Sequence, residues 1–483
     1  MEVKGYITYE QFGAIGDGVA DDLEAIVKAH DYANAHCLPV KAKDGAVYYI
    51  GGKALTATIM TDVDFGGAKF VIDDRKLENI KAYLFSVASE YPTFESNLTT
   101  VEAGQKKVDF PHEGTVLLRI FNDEKKNYIR KGINANNGHP QSDIILVDAE
   151  GNVLTTVDWS YDKITRQYAK RTDDRPITIK GGTFVTIANQ WERVYNYHFR
   201  GFSITRSNVT VTGLTHLIEG EGEDGAPYTG FISSTESVNL TVKDCLLTPH
   251  KTYQTKDSYP GHINRMGTYD ISLNATVGTK LIGIKQTRDI LDTRYWGLMG
   301  SNFCKDILLE DCDISRFDAH MGVSNGVIRR CRLGHQCLNL IGFGEFLIED
   351  SFALGNAFIG LRSDYGYFFR GNITIRNCTW RPNSPDSSQV ISAHNNSDHD
   401  FGYVAYMPFS VTIDGLTIED ENANEGVELY VLPTYDSPDN TVKPFPYVPT
   451  KKLTYKGIVS AKGRKAQACK YTALYPELEV VEG

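Results

Sequence analysis

Aspartate and histidine stand two residues apart in Arg316-Phe317-Asp318-Ala319-His320-Met321-Gly322, the run of this 483-residue chain best suited to proton transfer. If the run is a strand, alternation sets Asp318 and His320 on one face and Ala319 and Met321 on the other. A carboxylate and an imidazole so placed can work as one hydrogen-bonded unit, or separately as acid and base on a bound molecule. Two preceding runs share the pattern, Tyr269-Asp270-Ile271-Ser272-Leu273 and Arg294-Tyr295-Trp296-Gly297-Leu298. Aligned with the first, they place Arg294 and Tyr295 beside Asp318 and His320 as candidate catalytic groups. Tyr269, Asp270, Trp296, Arg362, Asp364 and Tyr365 become candidate substrate contacts on adjoining runs. Trp296 reads equally as an aromatic platform or as core. His262, Asn264 and Arg265 follow a Tyr/Pro/Gly-rich loop, and are expected to reach over the same face as a lid.

Such a face needs a repeated strand to carry it. From about residue 176 the chain shows one: "ITIKGGTFVTI", "SVNLTVKDCLLT", "CKDILLEDCDIS" and "NITIRNCTW" each read as strand, polar turn residue, strand. His320, Leu340 and Gly360 take matching places, which predicts coils of about 20 residues. The expectation is an all-β, right-handed parallel β-helix over 176–430, begun by an N-terminal cap and first coils over 1–80. The rhythm lapses over 81–175, read as an inserted β subdomain with strands at Leu117–Ile120 and Asp143–Asp148. Five prolines between Pro433 and Pro449 read as the start of an extended C-terminal cap, 431–483.

The chain opens on Phe12-Gly13-Ala14-Ile15-Gly16-Asp17-Gly18-Val19-Ala20-Asp21-Asp22, then a helical pattern from Leu23 to Ala35. Glycines permit a tight turn, and Asp21 or Asp22 can cap the helix by accepting its free N–H groups. A solenoid needs such an element over its open end. This signature resembles the N-terminus of the pectate-lyase-3 type of β-helix proteins, a superfamily of polysaccharide lyases, glycoside hydrolases, epimerases and phage tailspikes. The resemblance spans about 30 residues and implies the fold, a glycan partner and a structural role for the three aspartates.

On that expectation three readings stand. In a lyase acting by β-elimination on a uronate-containing glycan, Arg294 or Arg362 would neutralise the carboxylate. His320 and Tyr295 (or Tyr269) would then serve as base and acid. A glycoside hydrolase would instead use paired carboxylates among Asp318, Asp270 and Asp364. A non-catalytic glycan-binding or tailspike module would use the groove without the chemistry.

Composition narrows the remaining choices. Hydrophobic residues at 41% and charged residues at 23% support a large buried core. A net charge of −11 with no basic stripe argues against nucleic acid as a partner. No apolar run reaches the roughly 18 residues of a membrane span. The first residues lack a signal-peptide pattern, which leaves the compartment open, as the sequence leaves self-association open. The eight cysteines form no CxxC pair, and read as reduced core residues rather than a disulfide framework. Asn97, Asn208, Asn239, Asn274, Asn372, Asn377 and Asn395 each begin an Asn-x-Ser/Thr triplet, read as turn and strand chemistry. Glu219-Gly220-Glu221-Gly222-Glu223-Asp224-Gly225 is either a Ca²⁺ loop of oxygen ligands or a solvated acidic turn.

Overall fold

A computed structural model describes residues 5–129, 137–194, 196–256, 263–362, 365, 369–393, 404–434 and 447–483. The chain divides into two compact units, 1–92 with 171–300, and 93–170 with 301–483. Both contain the coils of a parallel β-helix, as the strand–turn–strand repeat predicts.

In the first unit the helix Leu23–Ala35 forms where its apolar spacing puts it. It buries Leu23, Ile26, Ala29 and Ala33, and packs on the strand Ala57–Ile59. The capping carboxylates divide their work: Asp21 accepts from the Leu23 N–H at 3.1 Å, while Asp22 accepts from Ile15 and Gly16 in the glycine turn. Coils then stack in register, Phe70 beside Phe184 and Phe184 beside His216. Aromatic rings fill the interior, with Phe70 on Phe184 and Phe85 on Phe202, each pair 4.7 Å between centroids. Parallel pairing begins within the expected first coils, with Asp17–Asp21 beside Val47–Ile50 and Val40–Lys41 beside Val63–Asp73. It also includes Phe85–Val87, which lies between Ala57–Ile59 and Phe202–Ile204. The expected insertion boundary at 81 is therefore too early.

The interruption starts at Thr93, in the second unit. A four-stranded sheet in the order Thr93–Phe94, Arg166–Arg171, Val116–Asn127, His139–Val147 has its own core of Val116, Leu118, Ile120, Ile145, Val147 and Tyr161. In the coils of this unit Phe317 pairs with Leu338 and Leu338 with Ile359, a step of 21 residues each time. The expected C-terminal cap is in part more solenoid, because Lys452–Ser460 pairs in parallel with Ser410–Ile418, and Glu479–Glu482 pairs with Lys452–Ser460. Leu453 and Tyr455 alternate inward there, a pattern hidden behind the cluster of prolines.

The polar turn residues have a common cause. Asn208, Asn239, Asp306, Asn325, Asp350 and Asn377 all adopt left-handed φ values of 47–59°, which Asn and Asp tolerate best. Their side chains bond from coil to coil, Asn239 to Asn208 at 3.0 Å and Asn325 to Asp306 at 3.0 Å. All eight cysteines are free thiols, six of them buried.

Close backbone stacking leaves some coil positions no room for a side chain. At Gly371 an added Cβ would lie 1.9 Å from the Gly344 carbonyl oxygen of the coil before. Gly371→Ala should therefore cost about 1–3 kcal/mol, the range for overpacking, read as a lower midpoint of chemical denaturation. An unchanged midpoint would mean that the coils can part at no cost.

Candidate functional site

The strand Phe317–Arg329 carries the Asp318/His320 pair. Phe317 packs inward, its ring 5.8 Å from that of Phe346, so the alternate residues Asp318 and His320 face outward together. Outward does not mean exposed. Asp318 is fully buried, between Arg316 Nη2 at 3.2 Å and Arg362 Nη1 at 2.5 Å. Arg362 is itself only 10% exposed and lies over the Tyr365 ring, 5.4 Å from its centroid. Asp318 is thus a carboxylate that holds two guanidiniums rather than one that meets a substrate.

His320 is half-buried and has both ring nitrogens engaged. Its Nδ1 lies 2.8 Å from Asn302 Oδ1, and its Nε2 lies 3.1 Å from the Tyr365 hydroxyl. With Asn302 Oδ1 accepting, Nδ1 carries the proton, and the Tyr365 O–H donates to Nε2. Tyr365 is buried, and the Tyr128 ring meets it edge-on at 6.0 Å. The site is therefore a surface imidazole oriented from behind by an amide, a phenol and a buried Arg–Asp–Arg group.

The other expected residues fall elsewhere. Thr293 and Arg294 belong to a turn, Tyr295 makes an isolated antiparallel bridge to Lys251, and the strand of that coil begins only at Met299, five residues after Arg294. Arg294, its side chain 78% exposed, is paired with Asp292 at 2.6 Å, and Tyr295 lies under Arg288 and Arg294. In place of Arg294, the guanidiniums found at Asp318 are Arg316 and Arg362. Trp296 is half-buried against Gly267, where an added Cβ would touch its indole nitrogen at 2.3 Å, and Tyr269 covers Gly300 in the same way. Asn264 and Arg265 lie on an antiparallel hairpin, Tyr253–Lys256 with Ile263–Met266, and Arg265 is exposed. His262 and Asp364 lie outside the described residues.

Asp270 also corrects its expectation, since it is fully buried in a network of the first unit. His216 Nδ1 sits 2.8 Å from one Asp270 oxygen, and His250 Nε2 lies 3.7 Å from the other. His250 Nδ1 contacts Glu221 at 2.9 Å, and the Tyr253 hydroxyl donates to the same oxygen. Burial opposes the His250 cation, but hydrogen bonds and charge from Asp270 and Glu221 outweigh it and push its pKa up to about 9. Burial likewise opposes the Asp270 carboxylate, yet His216 and His250 hold it down at about 2. His216 and His250 were missed by the sequence reading. The available signal was coil alignment, which sets His216 in a column otherwise filled by Phe70 and Phe184. A polar group so placed must find buried partners.

The acidic loop holds a cation of its own. The Lys251 ammonium meets the carbonyl oxygens of Gly222, Glu223 and Asp224, while Glu221 is taken up by His250, Tyr253 and the Lys251 N–H. Of the two readings of this loop, a Ca²⁺ site or a solvated acidic turn, neither describes Glu221, whose carboxylate is bonded within the protein. Among the described residues no group of three or more His, Cys, Asp or Glu could hold a metal ion.

Solved structures share this fold at low identity. The Gp54 tailspike of Acinetobacter baumannii bacteriophage AP22, in complex with a capsular saccharide, matches 98% of this chain and 79% of its own at 9% identity and TM-score 0.57. The gp61 tailspike of Pseudomonas phage phi297 matches 95% and 81% at 12% identity and TM-score 0.53. A tailspike mutant of E. coli bacteriophage HK620, in complex with a pentasaccharide, matches 95% and 67% at 10% identity and TM-score 0.50. The fold is a parallel β-helix, shared with these tailspikes. No protein-family model matches the chain, and no curated protein does.

The buried histidine network makes stability depend on pH in a definite sense. His250 is favoured as a cation on folding, so its contribution is whole below about pH 6.5 and is lost as pH rises through about 9. The Asp270 contribution is present above about pH 3.8 and is lost as pH falls through about 2. Asp270→Asn should therefore destabilise most between these limits, by about 3–5 kcal/mol, with the gap to wild type narrowing toward pH 9. Denaturation midpoints of both proteins across that range would check this, and a gap independent of pH would leave Asp270 a packing role only.

Proposed function

We propose that the chain is a glycan-binding module of the tailspike kind, which contacts an oligosaccharide with the outward side chains around His320 in its second unit. The observation that carries this reading is the half-buried imidazole fixed by Asn302 and Tyr365 on the outer face of a β-helix strand. A side chain held still on a rigid element suits a glycan, because little conformational freedom is lost on binding; with both nitrogens engaged, the imidazole would meet it by ring face and C–H edge. Two solved proteins of the same fold are seen with saccharides, and the N-terminal signature resembling the pectate-lyase-3 type points to the same class of partner.

Cleavage by β-elimination is the second reading, favoured by the Tyr365–His320 hydrogen bond. His320 Nε2 would take the Tyr365 proton, the phenolate would take the proton beside the uronate carboxylate, and the proton on His320 would pass to the leaving oxygen. This requires Tyr365, buried in the free protein, to become accessible to the glycan. Hydrolysis has less behind it. Asp318 and Asp270 are buried in pairings of their own, and the expected carboxylate pair has no open member among the described residues.

Screening wild type against capsular and O-antigen polysaccharides should find a ligand. Measuring ultraviolet-absorbing unsaturated ends and new reducing ends together separates elimination, hydrolysis and binding alone. His320→Ala should weaken binding by about tenfold or more, equivalent to about 1.4 kcal/mol, with little change in melting temperature. If the glycan is cleaved, turnover should drop about 10²–10⁴-fold. Loss of folding in step with loss of binding would instead make His320 structural.

A further inference from the structure

We infer that the inserted four-stranded sheet forms one wall of the His320 site, with Tyr128 as a positioning residue and a buried Lys305–Asp143–Asp158 cluster holding the wall in place. The inference rests on the functional reading above and names a residue that the sequence did not single out.

Tyr128 follows the strand Val116–Asn127 and is 8% exposed. Its ring meets Phe303 edge-on at 5.6 Å and Tyr365 edge-on at 6.0 Å. Those residues flank the two partners of the imidazole: Phe303 follows Asn302, which contacts Nδ1, and Tyr365 contacts Nε2. The Tyr128 hydroxyl lies over Gly322, two residues beyond His320, where an added Cβ would come within 2.8 Å of it. Tyr128 and Phe303 hold left-handed φ values of 51° and 53°, and Gly322 stands at 100°. Non-glycine residues keep such conformations only where the surroundings impose them, and here both occur at one contact.

The clamp lies beside this contact. Lys305 Nζ, on a coil strand, is 2.5 Å from Asp143 Oδ1 and 3.0 Å from Asp158 Oδ2, both on the insertion, with every partner at least nine-tenths buried. Lys305 also donates to the Thr156 carbonyl, Ser324 donates to Asp158 at 2.6 Å, and the Asp158 N–H donates to Asp143 at 2.7 Å. Trp159 of the insertion meets Phe343 of the coils edge-on at 4.9 Å. Losing one charged member of such a cluster leaves the rest buried and unbalanced, so the joint is held as a unit. The cavity between Tyr128, Lys305, Gly322 and Ser324 is only about 20 Å³, so the wall is packed against the coils and leaves no space for a sugar behind it.

The test reads His320 directly, in the full chain, by the nitrogen resonances of its ring, assigned by comparison with His320→Gln. Tyr128→Phe should change those resonances and their titration much less than loss of the ring, since it keeps the ring contacts to Phe303 and Tyr365. Tyr128→Ala, with Tyr128→Leu as the variant that keeps volume, should shift both. In the same variants, affinity for whichever glycan wild type binds should fall by about tenfold, while Tyr128→Phe stays within about twofold. Lys305→Met should open the insertion to limited proteolysis and reproduce the His320 shifts. His320 signals unchanged in both Tyr128→Ala and Tyr128→Leu would overturn the inference, whatever glycan binding does. Shifted signals in a chain for which wild type finds no glycan would uphold the wall and remove the functional reading instead.

Discussion

Parallel pairing in register is the constraint on which everything else in each unit depends. A slip of one residue between coils would turn every inward side chain outward, so burial of one face fixes the alignment of the next coil. Phe317 over Leu338 and Leu338 over Ile359 set that register in the second unit. The outward direction of Asp318 and His320 follows from it, as does the arrival of Arg362 two coils later, near Asp318. The polar turns serve the same end, since residues with left-handed φ let each coil change direction at the same level as its neighbours.

Charges inside this framework act as joints rather than as a source of net stability. Desolvation cancels much of what a buried ion pair contributes, while loss of a single partner is severe. Arg316–Asp318–Arg362 ties coils together, Lys305 with Asp143 and Asp158 ties the insertion to coils, and Asp270 with His216 and His250 ties strand to turn. Each joins segments far apart in sequence, and each removes its carboxylates from the surface. Asp143, Asp158, Asp270 and Asp318 are thereby withdrawn from any substrate.

In the second unit the His320 imidazole stays partly open to solvent beside the Arg316–Asp318–Arg362 joint. A solenoid has no cleft of its own, so recognition falls to outward strand residues and to whatever is inserted between coils. His320 draws on both sources, with Asn302 and Tyr365 from the coils and Tyr128 from the inserted sheet behind Tyr365.

The local patterns were legible: the helix Leu23–Ala35, the strand Ile177–Ile187, the turn asparagines, and Asp318 and His320 on one side of their strand. Alternation and helical spacing act between near neighbours and need no tertiary information. Which coil residue stands beside which was not legible. Arg294 was aligned with Asp318 by resemblance of short runs, but the coil reaches its strand only at Met299, and Arg294 pairs with Asp292 in the turn. Asp270 looked like a surface carboxylate until His216 and His250 were brought to it from coils before it. Tyr128 gave no sign of belonging with Tyr365, because the lengths of turns and insertions, which no periodicity encodes, decide where a coil begins. The residues of one coil were therefore written in the chain, and the neighbours of each side chain were decided only when the coils stacked.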